Sequence, residues 1–190
     1  MIQANSHDIR NLLLRLQAGD GDAFRTIFEI HKKRVFSVAY GIVGNYQQAK
    51  EITQDVFIRL FQSNSKINVE KPFFTYLYKI TVNASIDFLK QNQSSRFEQI
   101  DSEKLGCDQA QNPDVWYEKK EMRSVIHKIA NRLSHKQRIV FVLRHLEDLT
   151  LDEIQQVLQC SPTTVRTQLH FARNKIRKII EKEYPEFLKE

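Results

Sequence analysis

The sequence predicts an all-α protein: two small helical domains joined by a flexible linker. Three observations predict it. Apolar residues recur at three- and four-residue intervals along most of the chain, and no pair of segments alternates as strands do. That period lapses in one polar stretch, 92–112. Helix start signals then recur through the second half.

The first 91 residues hold four helical patterns. Leu12, Leu13 and Leu16 mark a short helix that Gly19 closes. Over Asp22–Val43 the stripe is Phe24, Ile27, Phe28, Val35, Val38, Ala39 and Ile42, and Gly44-Asn45 ends it. His31 falls on this stripe, which reads as a packed histidine rather than a base. Tyr46–Gln62 repeats the pattern through Ala49, Ile52, Val56, Phe57, Leu60 and Phe61. Phe74–Lys90 repeats it through Phe74, Leu77, Ile80, Thr81, Ala84 and Phe88. Four such helices suffice for a bundle with its own core.

Residues 92–112 read as a linker, with Phe97, Ile100 and Leu105 as its apolar points. The second domain, 113–190, opens with the stripe Met122, Val125, Ile126, Ile129 and Leu133. Ser134 with Gln137, and Thr150 with Glu153, have capping-box spacing. Ser161-Pro162 is a third start, a capping hydroxyl followed by proline at the first helical position. Val165, Leu169, Ala172, Ile176 and Ile179 carry the last helix, which again makes four.

Composition narrows the function classes. The 190 residues are 41% hydrophobic and 27% charged, with 5 Gly and 4 Pro, which excludes collagen-like and low-complexity chains. No run has the ~18 uncharged apolar residues of a membrane span, and the opening MIQANSHDIR lacks the pattern of a secretory leader. Cys107 and Cys160 make neither a disulfide framework nor a four-ligand metal set. There is no Gly-rich phosphate loop, H-E-x-x-H or G-x-S-x-G, and the six histidines are scattered. The expectation is a cytoplasmic, non-enzymatic protein with no cofactor, no metal and no membrane insertion.

The net charge of +6 permits a polyanionic partner. Residues 1–91 carry 12 basic against 8 acidic side chains, 92–112 carry 2 against 4, and 113–190 carry 15 against 11. Two basic blocks therefore flank a mildly acidic middle. Ser161–Lys178 holds Arg166, Arg173, Lys175, Arg177 and Lys178 and no acid. Alone, that run also describes a solvated helix face.

Thr150–Arg173 is laid out as a short capped helix, a tight turn at Gln159–Ser161 and a longer helix, the plan of a helix-turn-helix. A plain helical hairpin has the same outline. Near the start of its second helix stand Thr163, Thr164, Arg166, Thr167 and His170, with Arg173 further on. Hydroxyls and a helix N-terminus suit phosphates, and arginine forks onto guanine O6 and N7. On the Phe74–Lys90 pattern, Tyr76, Lys79, Asn83 and Lys90 lie away from the apolar stripe. Rings that stack and cations that follow a backbone suit unstacked single-stranded bases, and the same residues equally describe a solvated face with a half-buried tyrosine.

Three stretches resemble an ECF-type (extracytoplasmic function) sigma factor of the sigma-70 family. Gln48-Ala49-Lys50-Glu51-Ile52-Thr53-Gln54-Asp55-Val56-Phe57 is similar to the family's acidic motif A-x-[DE]-x-x-Q-[DE]-x-F. Phe73-Phe74-Thr75-Tyr76-Leu77-Tyr78-Lys79-Ile80-Thr81-Val82-Asn83 resembles its F-x-x-W-L-Y-R-I-A-x-N helix. Ser134–Arg173 resembles its C-terminal domain, with Thr164-Val165-Arg166-Thr167 where T-V-[KR]-S is frequent. The likeness spans about residues 8–180.

The resemblance implies partners and roles. Core RNA polymerase would dock on Glu51, Gln54 and Asp55. Lys79 and Asn83, with Tyr76 and Lys90 on the same face, would meet the melted, single-stranded −10 element, and the loop Ser63–Lys71 would capture a flipped base. Arg166, Thr167 and His170, with Thr163, Thr164 and Arg173 beside them, would read the double-stranded −35 element. An anti-sigma factor is a further possible partner, and Phe187 and Leu188 are spare apolar positions for one. Four departures from the pattern matter. Tyr76 replaces the usual Trp, and Phe171 stands where a basic residue is frequent. Gln159 occupies a turn site that often holds Gly, and Cys160 a site usually aliphatic, where it reads as a small buried hydrophobe.

The two elements lie about 25 base pairs apart, or ~85 Å at 3.4 Å per pair. A domain of some 90 residues is roughly 30 Å across, and 21 extended residues add ~70 Å. The linker is thus expected to make two-site reading feasible. The alternative is a self-sufficient helix-turn-helix regulator with an N-terminal helical sensing bundle.

Overall fold

Side-chain caps start five of the helices, and those at Ser134, Thr150 and Ser161 are where the sequence places them. The computed structural model describes residues 6–98 and 120–185. Helix α1 (Ser6–Gln17) ends before Gly19, whose φ of +89° turns the chain. Asp20 opens α2 (Gly21–Val43) by accepting from the N–H groups of Asp22 and Ala23, and Gly44, at φ +73°, closes it. Asn45 caps α3 (Tyr46–Gln62) in the same way. A 3-10 turn at Asn64–Lys66 leads into α4 (Phe73–Glu98), which continues seven residues into the stretch assigned to the linker. The rest of that stretch, with Ile100, Leu105 and Cys107, lies outside the described residues, as do Phe187 and Leu188; of the Phe97 and Met122 side chains nothing is described.

Leu13, Leu16, Ile27, Val35, Val56, Phe57, Leu60 and Leu77 form the first core. His31 is buried in it, edge-on to Phe73 at 5.4 Å, with Nε2 lacking a hydrogen-bond partner. Burial first, then the Arg34 charge, lowers its pKa to about 4, so the ring is neutral and packed, as the stripe predicts. Phe61 departs from expectation. It is 52% exposed and leans on Phe24 with ring centroids 5.1 Å apart, so it belongs to the surface rather than the core.

In the second half, α5 (Lys120–Ala130), α6 (His135–His145), α7 (Leu151–Leu158) and α8 (Pro162–Glu183) follow. Both capping boxes form, at Ser134 with Gln137 and at Thr150 with Glu153. Val142, Leu143, Ile154, Val157, Val165, Leu169 and Ala172 are buried between these helices.

The two halves are not separate bodies. One apolar cluster joins Val38, Ile42, Tyr78 and Val82 to Ile139, Val140, Leu143, Leu149, Ile154, Val157, Val165 and Leu169. The stripes read for α2 and α4 assign one apolar face to each, but both helices have two. On α4, Phe73 and Leu77 enter the first core, while Phe74, Tyr78, Val82, Ile86 and Leu89 turn to the second half. Polar bonds flank the junction. The buried Arg138 guanidinium donates to the carbonyls of Ile42 (2.9 Å), Ala130 (3.0 Å) and Asn131 (2.5 Å). The Tyr78 hydroxyl donates to Glu147 Oε2 at 2.9 Å.

Candidate nucleic-acid interface

The turn between α7 and α8 is tight because one residue takes a left-handed conformation. Gln159 sits at φ +51° and ψ +44°, which costs a non-glycine residue of order 1 kcal/mol. Ser161 then caps α8 through the Thr164 N–H, and Pro162 occupies the first turn. Cys160 between them is half-buried and packs on the shared cluster.

Helix α8 has a division of faces that follows from its period. Val165, Leu169, Ala172 and Ile179 are buried, while Thr163, Thr164, Arg166, Thr167, His170 and Arg173 are all exposed. The structure therefore brings all six expected residues onto the solvent side. Two are partly committed. The Thr164 hydroxyl lies 2.9 Å from Ser161 Oγ, within the cap, and His170 Nε2 lies 2.9 Å from Asn174 Nδ2, one turn on. Asn174, an amide on the same face that orients His170, is a residue the sequence reading missed; its i+4 spacing from His170 is the signal. Phe171 beside them is 51% exposed. No acid occurs in α8 before Glu181, which pairs with Arg177 at 2.9 Å.

The face on α4 is narrower than expected. Asn83 and Lys90 are exposed and Lys79 partly so, but Tyr76 packs its ring against the first core. Burial raises the Tyr76 hydroxyl pKa, so it stays protonated and a donor. The preceding loop is pinned at its root: Gln17 Nε2 donates to the carbonyls of Asn64 (3.1 Å) and Ile67 (2.8 Å), and the Ile67 side chain is buried. Ser65, Lys66, Asn68 and Lys71 remain exposed on it.

A third face is acidic. Glu51 and Gln54 are exposed on α3 and Asp55 partly so. Asp55 Oδ2 pairs with Arg59 Nη2 at 2.7 Å, and Arg59 reaches Asp87 of α4 at 4.0 Å. Glu51, Asp55, Arg59 and Asp87 thus border a shallow groove between the two helices. Ile58, 54% exposed, and Phe61 continue the face along α3, apolar side chains that the sequence reading did not assign to it. Among the described residues no cluster of His, Cys, Asp or Glu is arranged to hold a metal. No described helix is long and apolar enough to cross a membrane.

Both halves of the chain match known proteins. The model of sigma-70 region 2 matches residues 27–95 and that of sigma-70 region 4 matches 123–176. The chain is 28% identical over 180 residues to the ECF RNA polymerase sigma factor SigW of Bacillus subtilis, covering 90% of this chain and 95% of that one. Among solved structures, CnrH in complex with the cytosolic domain of CnrY superposes with a TM-score of 0.69 at 18% identity, over 92% of this chain and 97% of that one. The sigma factor RpoE in complex with the anti-sigma factor NepR, from Bartonella quintana, gives a TM-score of 0.64 at 16% identity, over 84% and 98%.

Proposed function

The chain belongs to the ECF group of the sigma-70 family, factors that bind core RNA polymerase and direct promoter-specific initiation, and from that premise we propose how its exposed faces divide the work. Residues 1–91 bind the polymerase and the −10 element, and residues 113–190 bind the −35 element. The observation that carries this is α8: an acid-free, exposed face set opposite a buried stripe and capped at the end that enters a groove. Arg166, Thr167 and His170 read base edges, while Thr163, Thr164 and Arg173 position the phosphates.

On α4, Lys79 and Lys90 follow the backbone of the melted −10 strand, Asn83 bonds a base and Tyr76 stacks. The Glu51, Gln54 and Asp55 face repels phosphate, so it suits a basic protein surface, here the polymerase, rather than DNA. The chain supplies specificity and no chemistry of its own, and it acts in the cytoplasm where the polymerase is. An anti-sigma factor, as in the Bartonella complex, is a further partner of this reading.

Run-off transcription with core polymerase, combined with separate binding assays, tests the division. Arg166→Ala is expected to weaken −35 binding by about 1–3 kcal/mol and leave polymerase affinity intact. Asp55→Ala is expected to do the reverse. If both changes damage both activities alike, the roles are misassigned.

A further inference from the structure

Helix α1 carries none of the residues assigned above to polymerase or DNA, yet its end holds the loop between α3 and α4. That end is closed. The Asp20 N–H donates to the Arg15 carbonyl and the Gly19 N–H to the Leu16 carbonyl, both at 3.0 Å, around the left-handed Gly19. Asp20 Oδ1 caps α2, and its Oδ2 accepts from Arg15 Nε at 2.8 Å. Gln17, the last residue of α1, is therefore fixed against the start of α2.

The loop's own bonds make two turns. The Lys66 N–H donates to the Ser63 carbonyl and the Ile67 N–H to that of Asn64, at 3.0 and 3.1 Å. The Glu70 N–H donates to Asn68 Oδ1 at 2.9 Å and the Lys71 N–H to the Asn68 carbonyl at 3.2 Å. All four stay within the loop, and none joins the first turn to the second. Gln17 supplies a tie from outside. Its Nε2 donates to the carbonyls of Asn64 (3.1 Å) and Ile67 (2.8 Å), so one NH2 group spans the 3-10 turn from its first residue to the residue after its last. Asn64 Nδ2 returns a bond to the Leu16 carbonyl at 3.4 Å. Arg10, earlier on α1, pairs with Glu70 in the second turn.

The loop thus has a held side and an open side. Gln17 and the buried Ile67 hold one, while Ser65, Lys66, Asn68 and Lys71 stand exposed. A loop ordered before it meets a ligand keeps the affinity that ordering would otherwise subtract. A rigid wall also rejects the wrong base, by clash and by polar groups left unpaired, where a yielding wall accommodates it.

We propose that Gln17 is the positioning residue of this loop: its amide, carried on the closed end of α1, fixes the loop in the shape that receives a flipped base of the melted −10 strand, and so sets how strictly that base is chosen. This role rests on the function proposed above, with Ser63–Lys71 as the capture site. Gln17 itself acts through the Asn64 and Ile67 carbonyls rather than on the DNA.

The test uses holoenzyme, core polymerase with the full chain, and a single-stranded DNA library randomised through the −10 element. Ser65→Ala, Lys66→Ala and Asn68→Ala together mark the captured position, as the one whose preference they alter. Gln17→Met keeps the reach of the side chain and removes both donors, and Gln17→Lys restores donors. Wild-type holoenzyme is expected to enrich one base at the captured position by about tenfold, and Gln17→Met to lower that preference to about threefold or less. Preferences at the other positions and affinity for polymerase stay as they were, and Gln17→Lys recovers the lost preference. In the free chain, hydrogen exchange over residues 63–71 is expected to quicken about tenfold in Gln17→Met and to slow again in Gln17→Lys.

A Gln17→Met holoenzyme that keeps its preference at the captured position within about twofold overturns the role. So does a loss spread evenly over all positions, the mark of a general fold defect. Where Gln17→Met folds poorly, Gln17→Glu against Gln17→Lys decides: both are charged and long, but the carboxylate offers no donor and repels the two carbonyls. The preference is expected in Gln17→Lys alone, and its presence in both or neither overturns the role. Failure of the underlying function looks different. The triple loop variant then alters no position, and the capture site falls together with the residue that positions it.

Discussion

The two long helices α4 and α8 carry the residues proposed to face DNA, and they are built on opposite plans. Helix α8 has one buried stripe, Val165, Leu169, Ala172 and Ile179, and solvent around most of the rest. Helix α4 is held on two sides, by the first core through Phe73 and Leu77 and by the second half through Tyr78 and Val82. A helix anchored along one stripe offers a wide face to a groove. A helix anchored along two offers a narrow strip, and its binding residues double as packing residues, as Tyr76 does. The face assigned to duplex DNA is therefore separable from the core, whereas the face assigned to melted DNA is not.

The largest expected effect breaks that contrast on the α4 side. Leu77 is 2% exposed and central to the first core. Leu77→Ala is expected to cost about 2–5 kcal/mol, lowering Tm by roughly 5–15 °C and, with it, binding at the α4 face. Calorimetry alongside binding to a −10 single strand checks the coupling. Leu169→Ala on α8 is expected to lower Tm comparably while leaving polymerase binding at 25 °C unchanged.

His31 gives a second measure of how tightly the first core is closed. Its folded pKa of about 4 lies below the ordinary 6.5. The unfolded chain therefore binds more protons between these values, and stability is full above pH 6.5 and falls as pH drops toward 4. The loss is on the order of 3 kcal/mol over that window, from a difference of 6.5 − 4 = 2.5 units. His31→Phe removes the orphaned Nε2 and is expected to flatten this part of the pH–stability curve, read by urea denaturation at pH 7, 5.5 and 4.5.

A smaller change sharpens the α8 side. Phe171, half exposed beside His170, stands where the family often has a cation. Phe171→Arg is expected to tighten −35 duplex binding a few-fold and to steepen its salt dependence by about one unit of log–log slope. Tm is expected to hold, because the ring has little core to lose.

What was legible in the sequence follows the same contrast. Helix ends are dictated by local chemistry, so Ser134, Thr150 and Ser161 start their helices and Gly44 stops α2 as read, while Asn45, read only as part of that stop, also caps α3. The α8 face was legible because one stripe leaves the other residues outside by geometry alone. The junction was not. A periodicity reading assigns one apolar face per helix, and α4 is apolar around most of its circumference, so Tyr78 and Val82 carried no separate signal. Gly41 carried none either, since the reason for a glycine in mid-helix is Val142, 101 residues away. The role of Phe61 was misread for a related cause: it neighbours Leu60 in sequence, but the next residue on a helix is rotated by about 100°, enough to leave the core.

The smallest expected effect isolates the turn that aims α8. Gln159 adopts φ +51° and is exposed, and no polar contact of its side chain holds it there. Its conformation is imposed instead by the flanking anchors: Val157 buried before it, the Ser161 cap and Val165 after it. A left-handed residue held from both sides stores strain that glycine does not feel, whereas glycine also loses more freedom on folding. The two effects partly cancel, which leaves Gln159→Gly with a net gain of up to about 1 kcal/mol. The expected outcome is a Tm rise of about 1–3 °C with the −35 affinity unchanged, since the anchors, not the residue between them, fix the angle of α8. Loss of −35 affinity in a protein of equal or higher Tm would show that Gln159 itself holds the turn, and that the duplex-reading face depends on its neighbours as much as the face on α4 does.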